Sequence, residues 1–97
     1  MSSAVRPSDA DMGVATAVRF EGDVLVVTLS NGREVSAQVA DYPRLVNATP
    51  EQRAHYQIEG GGTSIHWPDV DEDIGVSYLL GVGEDEFLEF AGFTRYP

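Results

Sequence analysis

From Gly13 onward apolar and polar residues alternate. Val14, Thr16, Val18 and Phe20 fall on one face of an extended chain, and Ala15, Ala17, Arg19 and Glu21 fall on the other. That period-2 pattern is the signature of a half-buried strand. Glu21-Gly22-Asp23 supplies a turn, and Val24–Ser30 follows as a β-branched and leucine run. Asn31-Gly32 then predicts a two-residue hairpin of type I′, which needs positive φ at both central residues. Val35, Ala37 and Val39 carry the alternation into a third strand, so the chain opens with a three-stranded meander.

The middle of the chain changes period. Tyr42-Pro43 interrupts the strand pattern, because proline cannot donate to a ladder. Arg44–Asn47 reads as a helical turn. Thr49-Pro50-Glu51-Gln52 has the features of a helix start: Thr49 as N-cap, proline at the first helical position and Gln52 at the capping-box position. The helix it opens is short, ending near His55. Tyr56–Glu59 and Ser64–Trp67 predict two more strands, joined by Gly60-Gly61-Gly62. Val76–Leu80 predicts a short helix with Gly75 as N-cap and Gly81 as the terminating glycine. Asp71 and Asp73 lie just ahead of it, where negative charge suits the macrodipole. The fold class is therefore α+β: an antiparallel sheet opened by a three-stranded meander, with short helices packed on it.

Composition narrows the class further. Ninety-seven residues with 42% apolar content suffice for one core. Residues 1–12 read as a flexible leader, 13–83 as the domain and 84–97 as an acidic, aromatic tail. There is no cysteine, which removes disulfides, thiolate metal sites and cysteine nucleophiles and fits a reducing compartment. No apolar run reaches the ~20 residues of a membrane span. A cytoplasmic protein without a membrane segment is the expectation.

Charge is unevenly placed. Residues 1–53 hold seven acids and five arginines, whereas residues 54–94 hold nine acids and no base; Arg95 completes the net charge of −10. Lysine is absent and the six arginines are scattered. Nucleic-acid binders carry basic footprints, so direct binding of DNA or RNA is not expected. The acidic half serves either as a solvated face or as a surface for a basic protein partner.

Several stretches together resemble a known family. They are Phe20-Glu21-Gly22, Asn31-Gly32-Arg33-Glu34-Val35, Tyr42-Pro43-Arg44-Leu45, Ala48–Arg53, His66-Trp67-Pro68 with Asp71-Glu72-Asp73-Ile74, and Leu79-Leu80-Gly81. In order and spacing this set is similar to the small bacterial family catalogued as domain of unknown function 2442, over about residues 14–82. The resemblance implies an α+β fold with an antiparallel sheet. It also implies a stand-alone domain, often encoded beside another small domain in a toxin–antitoxin-like arrangement. It carries over no catalytic residue.

Candidate chemistry centres on Ile65–Ile74, which holds the only tryptophan, one of two histidines and four acids. Asp69, Asp71 and Asp73 alternate like the opening of a calcium loop. The positions that should be glycine and a bidentate glutamate are Ile74 and Leu80. His66, with His55, is a candidate to join these carboxylates around a transition metal or in acid–base work. On a strand His66 points away from Trp67, at the surface or toward a backbone carbonyl. The triple glycine lacks the Lys-Ser/Thr of a phosphate loop, and Ser64 and Ser77 have no nucleophile context.

Phe87, Phe90, Phe93 and Tyr96 recur every three residues in the tail, a stripe that either completes the core or docks a partner. The leading expectation is a non-catalytic protein-interaction module with no cofactor, forming a homo-oligomer or binding a neighbouring gene's product. Its interaction residues would be Phe87, Phe90, Phe93, Tyr96 and Trp67. The alternative is a small ligand- or metal-binding domain or enzyme centred on His66, Asp69, Asp71 and Asp73.

Overall fold

The alternating N-terminal segment folds as an antiparallel meander of β1 (Ala15–Glu21), β2 (Val24–Leu29) and β3 (Glu34–Gln38) in a computed structural model that describes residues 12–92. Cross-strand rows Phe20–Leu25–Ala37 and Val18–Val27–Val35 make its inner face. Leu25 and Val27 are completely buried.

The sequence pattern places Val14 and Thr16 inward, and here the phase differs. Ala15 pairs with Leu29 and Ala17 with Thr28, so Thr16 is an extra residue in β1. Such a bulge shifts the pleat by one position. Ala15 is buried and Thr16 exposed as a result, while Val18 keeps its inward place. Met12, placed in the flexible leader by composition, is 2% exposed and belongs to the core. Its carbonyl accepts from the Asn31 side-chain amide at 2.9 Å.

The two hairpin turns differ. At Gly22-Asp23 only the glycine has positive φ, 60°, the pattern of a type II′ turn. At Asn31-Gly32 the expected type I′ turn is replaced by a three-residue loop. The Gly32 amide donates to the Leu29 carbonyl, the Leu29 amide to the Arg33 carbonyl, and Gly32 alone has positive φ, 86°. This is a type I turn closed by a glycine bulge. The Asn31 side chain explains the choice: its Oδ1 accepts from the Arg33 amide while its Nδ2 holds Met12.

After β3 a single 3-10 turn, Val39–Asp41, leads into α1 (Pro43–Val46) and α2 (Pro50–Ala54). The capping box at α2 forms as its sequence predicts. Thr49 Oγ1 accepts from the Gln52 amide at 3.1 Å, and Gln52 Oε1 accepts from the Thr49 amide at 2.9 Å.

The second half contains a second meander that the sequence pattern shows only in part. β4 (Gln57–Glu59) and β5 (Ser64–Trp67) are the two expected strands, and β6 (Glu72–Gly75) is a third from within the acidic stretch. The molecule thus has two three-stranded antiparallel sheets, β1-β2-β3 and β4-β5-β6. Strand β6 was hidden because three of the residues in Asp71–Asp73 are acidic, whereas the strand is anchored by one apolar residue, Ile74. The row Ile58–Ile65–Ile74 lines the inner face of this sheet.

The sheets are joined closely at the triple glycine. A Cβ on Gly62 would lie 2.7 Å from the Val14 Cβ and 2.8 Å from the Ala15 carbonyl oxygen, and Gly62 has φ 93°. Only glycine tolerates both conditions. Helices α3 (Val76–Leu80) and α4 (Glu84–Phe90) close the domain. Gly75 caps α3 at its start, and Gly81 ends it with φ 73°. One core runs between the sheets and helices and includes Trp67, Leu45, Ile65, Val76 and Phe87. Among the described residues no helix is long and apolar enough to cross a membrane.

Candidate functional site

The candidate residues of the acidic segment separate in the folded chain. Asp69 sits in the turn after β5, and its Oδ2 lies 2.9 Å from His55 Nδ1. Asp71 has φ 56°; its backbone carbonyl accepts from Arg44 Nη1, and its carboxylate lies 3.9 Å from the same nitrogen. Asp73, on β6, places Oδ1 2.7 Å from His66 Nδ1 on β5. Three carboxylates therefore face three different partners. Among the described residues no group of three or more histidine, aspartate or glutamate side chains is arranged to hold a metal ion.

The reason lies in the strand period. His66 and Asp73 are directly opposed across β5 and β6, with Gln57 opposite His66 on its other side. Alternation sends this row outward and sends Ile65, Trp67 and Ile74 inward. His66 thus lies on the outer face, one of the two expected placements, and its hydrogen-bond partner is a carboxylate. Hydrogen bonding to Asp73 raises its pKa above the ordinary imidazole value, partial burial opposing. Asp71 and Asp73 do precede α3, as expected, with Asp73 on β6 and Gly75 as the N-cap. Their contacts are with Arg44 and with His66.

The expected interaction residues also divide. Trp67 is 0% and Phe87 1% exposed, so both are core residues and neither presents a surface. The Trp67 indole N–H donates to the Arg53 carbonyl at 3.1 Å, and its ring meets Phe20 edge-on at 6.3 Å between centroids. Burying an aromatic of this size dominates a small core, provided its polar atom finds a partner. Phe90 remains 36% exposed beside Phe87, with 6.1 Å between the rings. Phe93 and Tyr96 lie outside the described residues.

A different concavity was not visible in the sequence. Val18, Arg19 and Phe20 of β1, Pro50, Arg53 and Ala54 of α2, and Tyr56 enclose a hollow of about 310 Å³. That is near the lower end of the range for binding sites. Its two arginines differ in state. Arg19 Nε lies 2.6 Å from Glu21 and Nη1 2.7 Å from Glu34. The bond to Glu34 is the main cause that raises the guanidinium pKa, and it holds Glu34 below its ordinary value.

Arg53 instead donates to backbone carbonyls, through Nε to Leu45 at 2.9 Å and through Nη2 to Val46 at 3.4 Å. Its guanidinium lies 5.4 Å from the centre of the Phe20 ring, within cation–π range. No ion pair joins it to a carboxylate among the described residues. Tyr56 Oη accepts from the Val18 amide at 3.3 Å. The hollow so combines apolar walls, an aromatic floor and one cation without an anionic partner among the described residues. The capping box and Arg53 were legible as a helix; that the helix faces β1 is a tertiary fact.

Comparison with known proteins agrees with this architecture. A protein of unknown function from Rhodospirillum rubrum superposes with a TM-score of 0.61 at 22% identity, covering 79% of this chain and 98% of that one. An uncharacterised protein from Chromobacterium violaceum does so with a TM-score of 0.61 at 23% identity, covering 84% and 79%. At such identity the likeness establishes the fold alone. No curated protein matches the chain. The family model described as protein of unknown function, DUF2442, matches residues 15–83, and the chain belongs to that family.

Proposed function

We propose that this domain is a non-catalytic protein-interaction module, engaged with a second copy of itself or with the product of a neighbouring gene, in the latter case as an antitoxin-like subunit. The observation that supports this reading is the hollow between β1 and α2. It offers apolar and aromatic walls and a guanidinium with no carboxylate partner among the described residues, the residue types that dominate binding hot spots. None of its lining residues forms a nucleophile–base pair, and its one hydroxyl, on Tyr56, is engaged with the Val18 amide. The acidic second half adds a long-range field that speeds encounter with a basic surface.

The test is co-expression with the products of the adjacent genes, followed by affinity purification and light scattering. The expected result is one stoichiometric complex with a neighbour's product, whose association slows as salt rises, or a concentration-dependent dimer. A chain that stays monomeric at high concentration and captures neither neighbour overturns the reading.

A further inference from the structure

The hollow lies along the free edge of a sheet, and this suggests how it is used. β1 is the outer strand of β1-β2-β3. The Val18 amide leaves the ladder for the Tyr56 hydroxyl. In an antiparallel pair a residue's amide and carbonyl share one side, and the side repeats every second residue. The Val18 carbonyl and the Phe20 amide therefore also face away from β2. No hydrogen bond ties either group to another described residue. Both Val18 and Phe20 line the hollow.

Nearer its start, β1 is covered. The triple-glycine turn packs on Val14 and Ala15, and Tyr56 closes the edge at the Val18 amide. Beyond that point the edge opens into the hollow. An unpaired edge of this kind templates another extended chain unless something blocks it.

We propose that the hollow is a strand-addition site. It takes a short extended segment of a partner protein whose apolar residue enters the hollow and whose aspartate or glutamate two positions away meets Arg53. One residue of such a segment donates its amide to the Val18 carbonyl and accepts from the Phe20 amide. Residues two apart lie on one face of a strand, so the apolar side chain and the carboxylate both point at the domain. The carboxylate supplies the anion that Arg53 lacks among the described residues. A second copy of this chain is disfavoured as occupant, because two molecules each of net charge −10 repel. The inference rests on the interaction-module reading and names the mode and the partner's chemistry.

The test uses the full chain, labelled with ¹⁵N, and the capped peptide Lys-Leu-Val-Asp-Val-Lys. Two controls accompany it, one with asparagine for aspartate and one N-methylated at the central valine. Amide shifts confined to Val18–Glu21 and Arg53–Tyr56 are expected with the first peptide, and each control should bind about tenfold more weakly. Ala54 is exposed at the rim, so Ala54→Glu should weaken binding about tenfold and Ala54→Lys strengthen it, both with unchanged melting temperature. Arg53→Gln should mimic the asparagine control.

Equal binding of all three peptides, or no shift with any at millimolar concentration, overturns the proposal. If the native complex of the previous section forms and survives Ala54→Glu intact, the strand-addition site is wrong while the module stands. If Ala54→Glu instead dissolves a homodimer, the occupant is a second copy and the stated partner is wrong.

Discussion

The two three-stranded meanders of this domain are built to different plans. Strands β1, β2 and β3 run seven, six and five residues, and their inner rows fill both ends of the sheet. Strands β4, β5 and β6 run three, four and four residues and share one apolar row, with Trp67 beyond it. The first sheet carries its own code in alternation and turns. The second exists because Trp67 and the isoleucine row are pressed against the rest of the core. Short strands with few apolar pairs have little independent stability, so the second sheet should respond most sharply to losses at the junction.

The largest effect is expected at Trp67. Trp67→Ala removes a completely buried indole at the end of β5 and leaves the Arg53 carbonyl without its donor. A loss of about 3–5 kcal/mol follows from cavity formation of this kind, read by chemical denaturation. In a small domain that is most of the available stability. If the variant unfolds only as easily as an exposed-site control such as Tyr78→Ala, the asymmetry between the sheets is wrong.

Gly62→Ala attacks the seam itself. The added methyl meets Val14 and Ala15, and the positive φ penalises any side chain. The cost should be about 2–3 kcal/mol. Gly22→Ala, also at positive φ but with open space around it, should cost about 1 kcal/mol. Similar melting temperatures for the two variants would show that the sheets do not press on one another there.

Thr49→Ala removes the capping side chain of α2 and should cost about 1 kcal/mol. Because α2 carries three residues of the hollow, peptide binding should weaken in parallel. Retained binding would detach the hollow from the order of α2.

The smallest effect belongs to the pair on the outer face of the second sheet. The folded pKa of His66 is raised by Asp73, so the pair stabilises fully below about pH 6.5, the ordinary imidazole value. That contribution is lost as pH rises through the higher folded value. Asp73→Asn should move the His66 titration, followed by NMR, back toward 6.5 and flatten the stability profile above that pH. A His66 midpoint that ignores Asp73→Asn would mean the contact is not made in solution.

Legibility in the sequence followed the same division. The capping box at Thr49–Gln52, the glycine that ends α3 and the strands from Val24 to Gln38 rest on contacts within a few residues, and each appears where the pattern puts it. The phase of β1 did not, because one bulged residue at Thr16 exchanges the faces without altering the alternation of types. Strand β6 was masked by its acids. The Asp69–Asp73 series looked like one site because its members are close in sequence. A turn and a strand then pointed each carboxylate toward a different neighbour.

The chain alone determined the class of fold, the family and the charge asymmetry, because periodicity, turn chemistry and composition are properties of neighbouring residues. Tertiary structure decided which aromatics are core, which acids pair with which bases, and that β1 and α2 enclose a hollow. Those outcomes depend on contacts that the fold makes between elements, such as His55 with Asp69 and Val18 with Tyr56. No local pattern encodes them, since packing selects among many pairings of equal local merit.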